Sequence, residues 1–181
     1  MPDSQNGGTS SQSAATNGGK TKTGTAQVSK LLDPPYKSET ASAKKARLTD
    51  QQYYVTQREG TERSFNNPLW DNKRDGLYRC VVCGQALFDS KTKYKSGTGW
   101  PSFFDPISTK RVGTKNDYSW LGQLRVEVHC KRCNAHLGHV FDDGPQPTGK
   151  RYCMNSAAMT FVARDKDQEW VKKETAKRSE R

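Results

Sequence analysis

The sequence predicts a mainly β domain that follows a disordered tail. From about residue 48 onward, segments rich in Val, Tyr, Phe and Trp are short and are separated by Gly, Pro, Asn and Asp, which is typical of strands joined by turns. Four of the five cysteines form two C-x-x-C pairs, Cys80/Cys83 and Cys130/Cys133, with 46 residues between them. Such pairs indicate a tetrahedral metal site. We therefore expect a β fold in which one metal ion links two sheet edges.

The first 47 residues are predicted to form a flexible basic tail. They are rich in Ser, Thr, Gly, Asn, Ala and Lys and show no apolar periodicity, and the mean hydropathy of the whole chain is -1.00. The tail has no apolar signal-peptide core and no run long enough to span a membrane. It is Ser-rich, as transit peptides are, but it carries three acidic residues and a single arginine, Arg47. We expect a cytoplasmic location, with organellar targeting by the tail as the alternative.

Order is predicted to begin with a short helix. Thr49 and Gln52 have the spacing of a capping box, and Gly60 is a natural end for a helix that reaches about Glu59. The folded domain then covers 48–165, and 166–181 is a charged C-terminal tail. The candidate strands are Leu77 to Val82, Ala86 to Asp89, Tyr118 to Leu121, Arg125 to His129, His139 to Phe141, Arg151 to Met154 and Ala158 to Ala163.

The C-x-x-C pairs have the residues that metal-binding turns need. Gly84 follows the first pair and Asn134 follows the second, and both residue types tolerate the positive φ of such turns. Four thiolates satisfy one structural Zn²⁺ ion without any other ligand. The alternatives are disulfides or free core thiols, but disulfides require an oxidising compartment. We predict one structural zinc.

The net charge of +11 raises the question of nucleic-acid binding. The basic excess is spread along the chain, with seven Lys and Arg against four Asp and Glu through Asp50. Such a distribution favours a solvated basic surface over a dedicated nucleic-acid face. We expect no nucleic-acid or membrane partner, and a monomer.

The fifth cysteine, Cys153, is the candidate nucleophile. A cysteine is nucleophilic only as the thiolate, which a nearby His⁺ or Arg stabilises. On a strand, Arg151 and Asn155 would share a face with Cys153. All three histidines of the chain lie near the second cysteine pair, as His129, His136 and His139. The alternatives are that Cys153 is a small buried apolar residue and that His136 and His139 pack in the core or bind zinc.

Three motifs carry a family resemblance. HLGHVFDDGP at 136–145, RYCMNSAA at 151–158 and SGTGWPSF at 96–103, together with the two cysteine pairs, resemble the type B peptide methionine sulfoxide reductases. The resemblance covers roughly residues 48–163. It implies a zinc-stapled fold of two antiparallel sheets, often called a β-tent, and the reduction of methionine-R-sulfoxide in oxidised proteins.

The resemblance implies the main catalytic roles. The Cys153 thiolate would attack the sulfoxide sulfur while His139 donates a proton to the departing oxygen. His136 and Asp143 would support His139 by hydrogen bonding and charge. Methionine would leave, and Cys153 would remain as a sulfenic acid.

The resemblance also implies a substrate pocket. Trp100 would form an aromatic wall for the methyl group of the substrate, with His136 and Phe141 as further pocket residues. Arg151 would favour the thiolate, and Asn155 would orient substrate or water. The alternative for Trp100 is ordinary core packing, and for Arg151 and Asn155 it is a strand position without a special role.

One position departs from the family pattern. Many members have a resolving cysteine before the Gly-Trp-Pro of the tryptophan motif, where this chain has Thr98. With four cysteines assigned to zinc, we predict a one-cysteine enzyme whose sulfenic acid is reduced by thioredoxin or by glutathione with glutaredoxin. The alternative function is a catalytically silent β-tent module that binds a small ligand, a peptide or nucleic acid, but an intact Cys153 argues against it.

Overall fold

The computed structural model describes residues 32–120 and 123–180 and has two antiparallel sheets within them. One sheet has three strands in the order β2-β1-β9, and the other has six in the order β3-β4-β8-β7-β6-β5. The predicted β fold with two antiparallel sheets is confirmed. The elements are α1 Ala41–Arg47, α2 Asp50–Arg58, β1 Gly76–Cys80, β2 Ala86–Asp89, β3 Lys93–Tyr94, β4 Ser102–Phe103, β5 Val112–Trp120, β6 Gln123–Cys130, β7 His136–Phe141, β8 Arg151–Met154, β9 Met159–Ala163 and α3 Asp167–Ser179.

Aromatic side chains join the two sheets. Phe103 on β4 stacks on Phe88 of β2, with ring centroids 4.5 Å apart, and meets Tyr78 of β1 edge-on at 4.9 Å. All three are fully buried. Burial of each such side chain stabilises the fold by about 1.5–3 kcal/mol. This contact holds β4, and therefore its neighbour β8, in a fixed position against the smaller sheet.

Helix α2 begins as its sequence predicts. The Thr49 hydroxyl accepts a hydrogen bond from the Gln52 backbone amide, and the Gln52 side chain accepts one from the Thr49 amide. The helix ends at Arg58, and its C-cap residue Glu59 adopts the left-handed conformation with φ 55. A Cβ at Gly60 would lie 2.2 Å from the ring of Tyr54, so a substitution there would require this exposed ring to move.

The predicted strands differ from the observed ones mainly at their ends. Strand β1 stops at Cys80, β5 begins well before Tyr118, and β7 begins at His136. Leu121, the last residue of one predicted strand, lies outside the described residues. The two-residue strands β3 and β4 were not predicted, because a two-residue strand has no alternation to detect. Ser102 of β4 nevertheless pairs with Cys153.

Part of the predicted tail, residues 1–47, contacts the domain. Residues 1–31 lie outside the described residues, but 32–47 contact the domain and include helix α1. Asp33 accepts from Arg79 at 3.2 Å and from Arg111 at 2.6 Å, and also caps the Ala86 amide. Arg79 is fully buried, so this carboxylate balances a charge removed from water. Composition cannot reveal a contact that spans 46 residues.

The charged C-terminal segment is also more ordered than the predicted tail. It forms α3, whose Val171 is buried. Asp167 at its start pairs with Arg79 through two bonds of 2.8 Å, and Trp170 lies under the same guanidinium at 5.1 Å. No helix in the described ranges is both long and apolar enough to cross a membrane.

Candidate active site

Neighbouring strands bring the predicted nucleophile and acid together. In the pairing of β7 with β8, His139 lies directly opposite Cys153. Gly138 makes this close pairing possible, since its φ is 156 and a Cβ there would lie 2.1 Å from the Cys153 carbonyl oxygen. Side chains that face each other across an antiparallel pair lie within about 5.5 Å at Cβ.

Cys153 and His139 open into a pocket of about 110 Å³. Most of the residues predicted for catalysis and substrate binding line it. The lining consists of Thr61, Trp100, Arg125, Gly138, His139, Phe141, Cys153, Met154 and Asn155. His136, Arg151 and Asp143 do not line the pocket but lie behind it or beside it.

Burial has the largest effect on the pKa of the Cys153 thiol. Removal from water raises its pKa, and the charge of Arg151 and hydrogen bonds from Thr98, Arg151 and Ser102 oppose that rise without cancelling it. The Thr98 hydroxyl lies 3.9 Å from the Cys153 sulfur. Cys153 is therefore mainly a thiol near neutral pH, and Arg151 acts in the predicted direction but is outweighed.

Arg151 is held in place by two contacts. Its guanidinium makes two bonds of 2.8 Å to the carboxylate of Asp143 and stacks 4.3 Å from the centre of the Phe141 ring. Asp143 was predicted to support His139, and in the structure its carboxylate pairs with Arg151.

The raised pKa of Cys153 predicts how its alkylation depends on pH. The rate of Cys153 modification by iodoacetamide should rise with pH, with a midpoint above that of a free cysteine, because only the thiolate reacts. In Arg151→Gln the midpoint should move higher still, since the charge that lowers the pKa is lost. Mass spectrometry of the modified peptide measures this rate for Cys153 alone. A midpoint below that of free cysteine would contradict the prediction.

The hydrogen-bond partner of His139 is a residue that the sequence analysis missed. Asp117 on β5 lies 2.7 Å from His139 Nε2, and the same carboxylate oxygen accepts from Arg125 at 2.8 Å. A carboxylate can only accept, so Nε2 carries the hydrogen and Nδ1 of the neutral ring is an acceptor. Desolvation lowers the pKa of His139, although the bond to Asp117 raises it. The ring is therefore mainly neutral near pH 7.

His136 lies buried behind His139. The two rings meet edge-on with centroids 5.5 Å apart, and His136 Nδ1 lies 3.0 Å from a carboxylate oxygen of Glu127. Burial opposes ionisation of Glu127, but Lys115 at 2.8 Å and His136 outweigh it and lower the pKa. His136 therefore packs against His139 and does not line the pocket.

Glu62 fixes the pocket wall and was also missed by the sequence analysis. Its backbone carbonyl accepts from Trp100 Nε1 at 3.1 Å, and its backbone amide donates to Asn155 Oδ1 at 3.1 Å. Its buried carboxylate accepts from the amides of Ser156 and Ala157. Burial raises the pKa of Glu62, and those amide bonds oppose the rise. Glu62 thereby joins the tryptophan motif to the strand that carries Cys153.

Asn155 is bound at both ends of its side-chain amide. Besides the bond from Glu62, its Nδ2 donates to the Leu137 carbonyl at 3.1 Å, and the residue is buried. Sequence alone could not identify Glu62 or Asp117 as partners, because each is far along the chain from the residue it contacts. The predicted strand in this region, Tyr118 to Leu121, begins one residue after Asp117 and therefore did not include it.

The four paired cysteines meet at the predicted metal site. Their sulfur atoms all lie within 4.8 Å of one another, and three of the four residues are buried. Gly84 and Asn134 have φ values of 76 and 57, as the turns require. None of the five cysteines forms a disulfide. The donor set suits a tetrahedral ion that prefers thiolates.

The structure is a β domain with a thiol opposite an imidazole and a separate cluster of four cysteines. Comparison with known families identifies its family: the model of the SelR domain matches residues 48–163. The chain belongs to this family of type B peptide methionine sulfoxide reductases, which are oxidoreductases acting on sulfur.

Curated relatives support the assignment. The chain is 57% identical over 122 residues to peptide methionine sulfoxide reductase B1, chloroplastic, of Arabidopsis thaliana, a match that covers 67% of this chain and 60% of that protein. It is 57% identical over 114 residues to peptide methionine sulfoxide reductase MsrB of Methanosarcina barkeri, covering 63% of this chain and 80% of the relative. With the MsrB of Shigella dysenteriae it shares 54% over 118 residues, covering 65% and 85%.

Proposed function

We propose that this protein reduces methionine-R-sulfoxide in oxidised proteins to methionine. The observation that supports this proposal most directly is that Cys153 lies opposite His139 in a pocket that Trp100 and Phe141 line. The names of the curated relatives support the reaction class.

The proposed chemical step transfers two electrons from Cys153 to the sulfoxide. The Cys153 sulfur attacks the sulfoxide sulfur and forms a bond to it, and the sulfur–oxygen bond of the substrate breaks as the protonated oxygen leaves as water. A water molecule then attacks the Cys153 sulfur, the bond between the two sulfur atoms breaks, and methionine leaves. The oxygen leaves with the thiol proton and one proton from solvent, and the second step returns one proton to solvent. The net products are methionine and the sulfenic acid of Cys153, so atoms and electrons balance. The sulfoxide oxygen needs a proton as the sulfur–oxygen bond breaks.

The source of that proton follows from the protonation states of the free site. Near pH 7 the proton resides on Cys153, and His139 is neutral with Nδ1 as its acceptor. We propose that His139 takes the thiol proton and then delivers it to the sulfoxide oxygen. Asp117 stabilises the imidazolium that forms between these two transfers.

The sulfenic acid is proposed to be reduced from outside the chain. Thr98 lies 3.9 Å from Cys153, so the position of a resolving cysteine is occupied by a hydroxyl that cannot form a disulfide. The other four cysteines are in the metal cluster. Thioredoxin, or glutathione with glutaredoxin, would then complete the cycle. A disulfide between Cys153 and a cluster cysteine during normal turnover would contradict this proposal.

The cluster is proposed to hold one structural Zn²⁺, bound by Cys80, Cys83, Cys130 and Cys133. Four thiolates leave no open position for a substrate, so the ion would supply stability and no catalytic step. Reduced thiols of this kind favour a cytoplasmic or similarly reducing compartment, and the protein is proposed to act as a monomer.

The proposed function is tested by turnover of the two sulfur epimers of dabsylated methionine sulfoxide with dithiothreitol. We expect reduction of the R epimer and none of the S epimer, because a pocket that holds the methyl group against Trp100 would leave one orientation for the oxygen. Separation of the products by chromatography measures both rates. No turnover of either epimer by folded, zinc-loaded protein would favour the silent binding module instead.

A further inference from the structure

A second cavity adjoins the active-site pocket at Trp100. It has a volume of about 230 Å³, and Trp100 lines both cavities. Its walls include Phe65 and Trp70, and its rim carries the cations Lys73, Arg74, Lys93 and Lys95. We call this cavity the basic groove. It is larger than the pocket at Cys153, and nothing in the proposed chemical step uses it.

Hydrogen bonds join the segment around Phe65 to the loop that precedes Trp100. The Phe65 amide donates to the Gly99 carbonyl at 2.9 Å, Asn67 donates to the same carbonyl at 2.8 Å, and the Ser64 hydroxyl donates to the Thr98 carbonyl. Phe65 has φ 59, an uncommon conformation for a residue with a bulky side chain. Phe65 is 56% exposed, and its ring meets that of Trp70 edge-on, with centroids 5.3 Å apart. Aromatic side chains that line a cavity together with a few polar groups are typical of a ligand-binding pocket.

The charge of the groove is strongly positive. Four cations face a single carboxylate, Asp71, which is paired with Lys73 at 3.6 Å. Lys93 is half-buried and donates to the Trp70 carbonyl at 2.9 Å, and Lys95 is exposed. Within residues 32–120 and 123–180, neither Lys93 nor Lys95 forms an ion pair with a carboxylate. A carboxylate from a ligand would complete this arrangement.

We propose that the basic groove binds the residues next to methionine sulfoxide in the substrate polypeptide and favours acidic side chains there. This inference rests on the proposed function. Trp100 lines both cavities, so a methionine sulfoxide bound at Cys153 brings the adjoining polypeptide next to the groove. An extended chain advances about 3.3 Å per residue, so residues one or two positions away extend from Trp100 along the groove that the lysines line.

The test compares two peptides that contain a single methionine-R-sulfoxide. They are identical except that the flanking residues are Glu in one and Gln in the other. We expect a higher kcat/KM for the Glu peptide, by about two- to fivefold for each ion pair formed. This preference should shrink as ionic strength rises, because salt screens exposed charges. The ratio of the two rates does not depend on the fraction of active enzyme.

The double variant Lys93→Gln with Lys95→Gln should bring this ratio close to one. The matched control is Lys110→Gln with Lys172→Gln, which removes the same charge from exposed lysines outside the groove and should keep the preference. Equal rates for both peptides in the wild type, or an unchanged ratio in the groove variant, would overturn the proposal. A groove variant that changes only the KM for glutathione would assign the groove to the reductant and also overturn it.

A wrong proposed function would give a different result from a wrong groove assignment. In that case neither peptide is reduced, and the proposal is then tested by equilibrium binding of the same two peptides, labelled with a fluorophore, to the wild type. Tighter binding of the Glu peptide that is lost in the groove variant would support the groove assignment. Equal affinities would overturn it.

Discussion

Replacing Cys153 with serine is expected to abolish reduction of methionine-R-sulfoxide, with a loss of about 10⁴-fold or more. A serine hydroxyl is not ionised near neutral pH, and it cannot take up the oxygen as a sulfenic acid does. The substitution removes only one sulfur from a partly exposed position, so the fold should remain intact. Turnover of the dabsylated R epimer with dithiothreitol, measured beside the wild type, gives the result.

His139→Asn should reduce turnover less than Cys153→Ser does. It should slow turnover by about 10²-fold, the scale of losing a proton-transfer group, while the nucleophile remains. Because the titratable imidazole is removed while Asp117 keeps its bond from Arg125, the pH profile should change as well. Substantial turnover by Cys153→Ser would show that another group attacks the sulfoxide, and wild-type turnover by His139→Asn would overturn the proton-transfer role.

Removing one cluster cysteine is expected to unfold the domain. Cys130 is fully buried among the other three cysteines, and Cys130→Ser would break the four-thiolate site. Structural zinc sites in small domains contribute on the order of 10 kcal/mol, which is comparable to the total stability of a domain. The variant should therefore lose its bound metal and its cooperative thermal transition. Metal analysis of the purified protein and circular dichroism during heating measure these two properties.

The matched control is Cys153→Ser, which removes a thiol outside the cluster. It should retain one metal ion per chain and a Tm close to that of the wild type. If Cys130→Ser keeps the wild-type Tm, or if the wild type melts at the same temperature after its metal has been stripped, the cluster has no structural role. The two serine variants therefore separate the catalytic thiol from the structural ones.

Local chemistry allowed much of the fold to be predicted. The capping box of Thr49 and Gln52 and the positive φ at Gly84 and Asn134 depend on a few consecutive residues, and each is found as predicted. Strand β8 has the predicted bounds, Arg151–Met154. The short strand β4 and the order of residues 32–47 were not predicted, because contacts with distant parts of the chain stabilise both.

In the candidate site, too, some residues could be predicted from the sequence and others could not. Cys153, His139, Trp100 and Phe141 could be identified from motifs, and they line one pocket. The partner of His139 could not, since Asp117 is 22 residues away and reaches it across β6. Asp143, which lies closer to His139 in sequence, pairs with Arg151 instead.

The sequence by itself therefore determined the chemistry that is available: four thiolates for one metal ion, one further thiol, an imidazole and no resolving cysteine at position 98. Tertiary structure decided the pKa of the catalytic groups and which residues they contact. Burial raises the pKa of Cys153 above the value that Arg151 alone would produce, and the sheet register joins His139 to Asp117. The physical reason is that residue types define which groups can ionise or bind, whereas desolvation and distance, which depend on the whole fold, determine when they do.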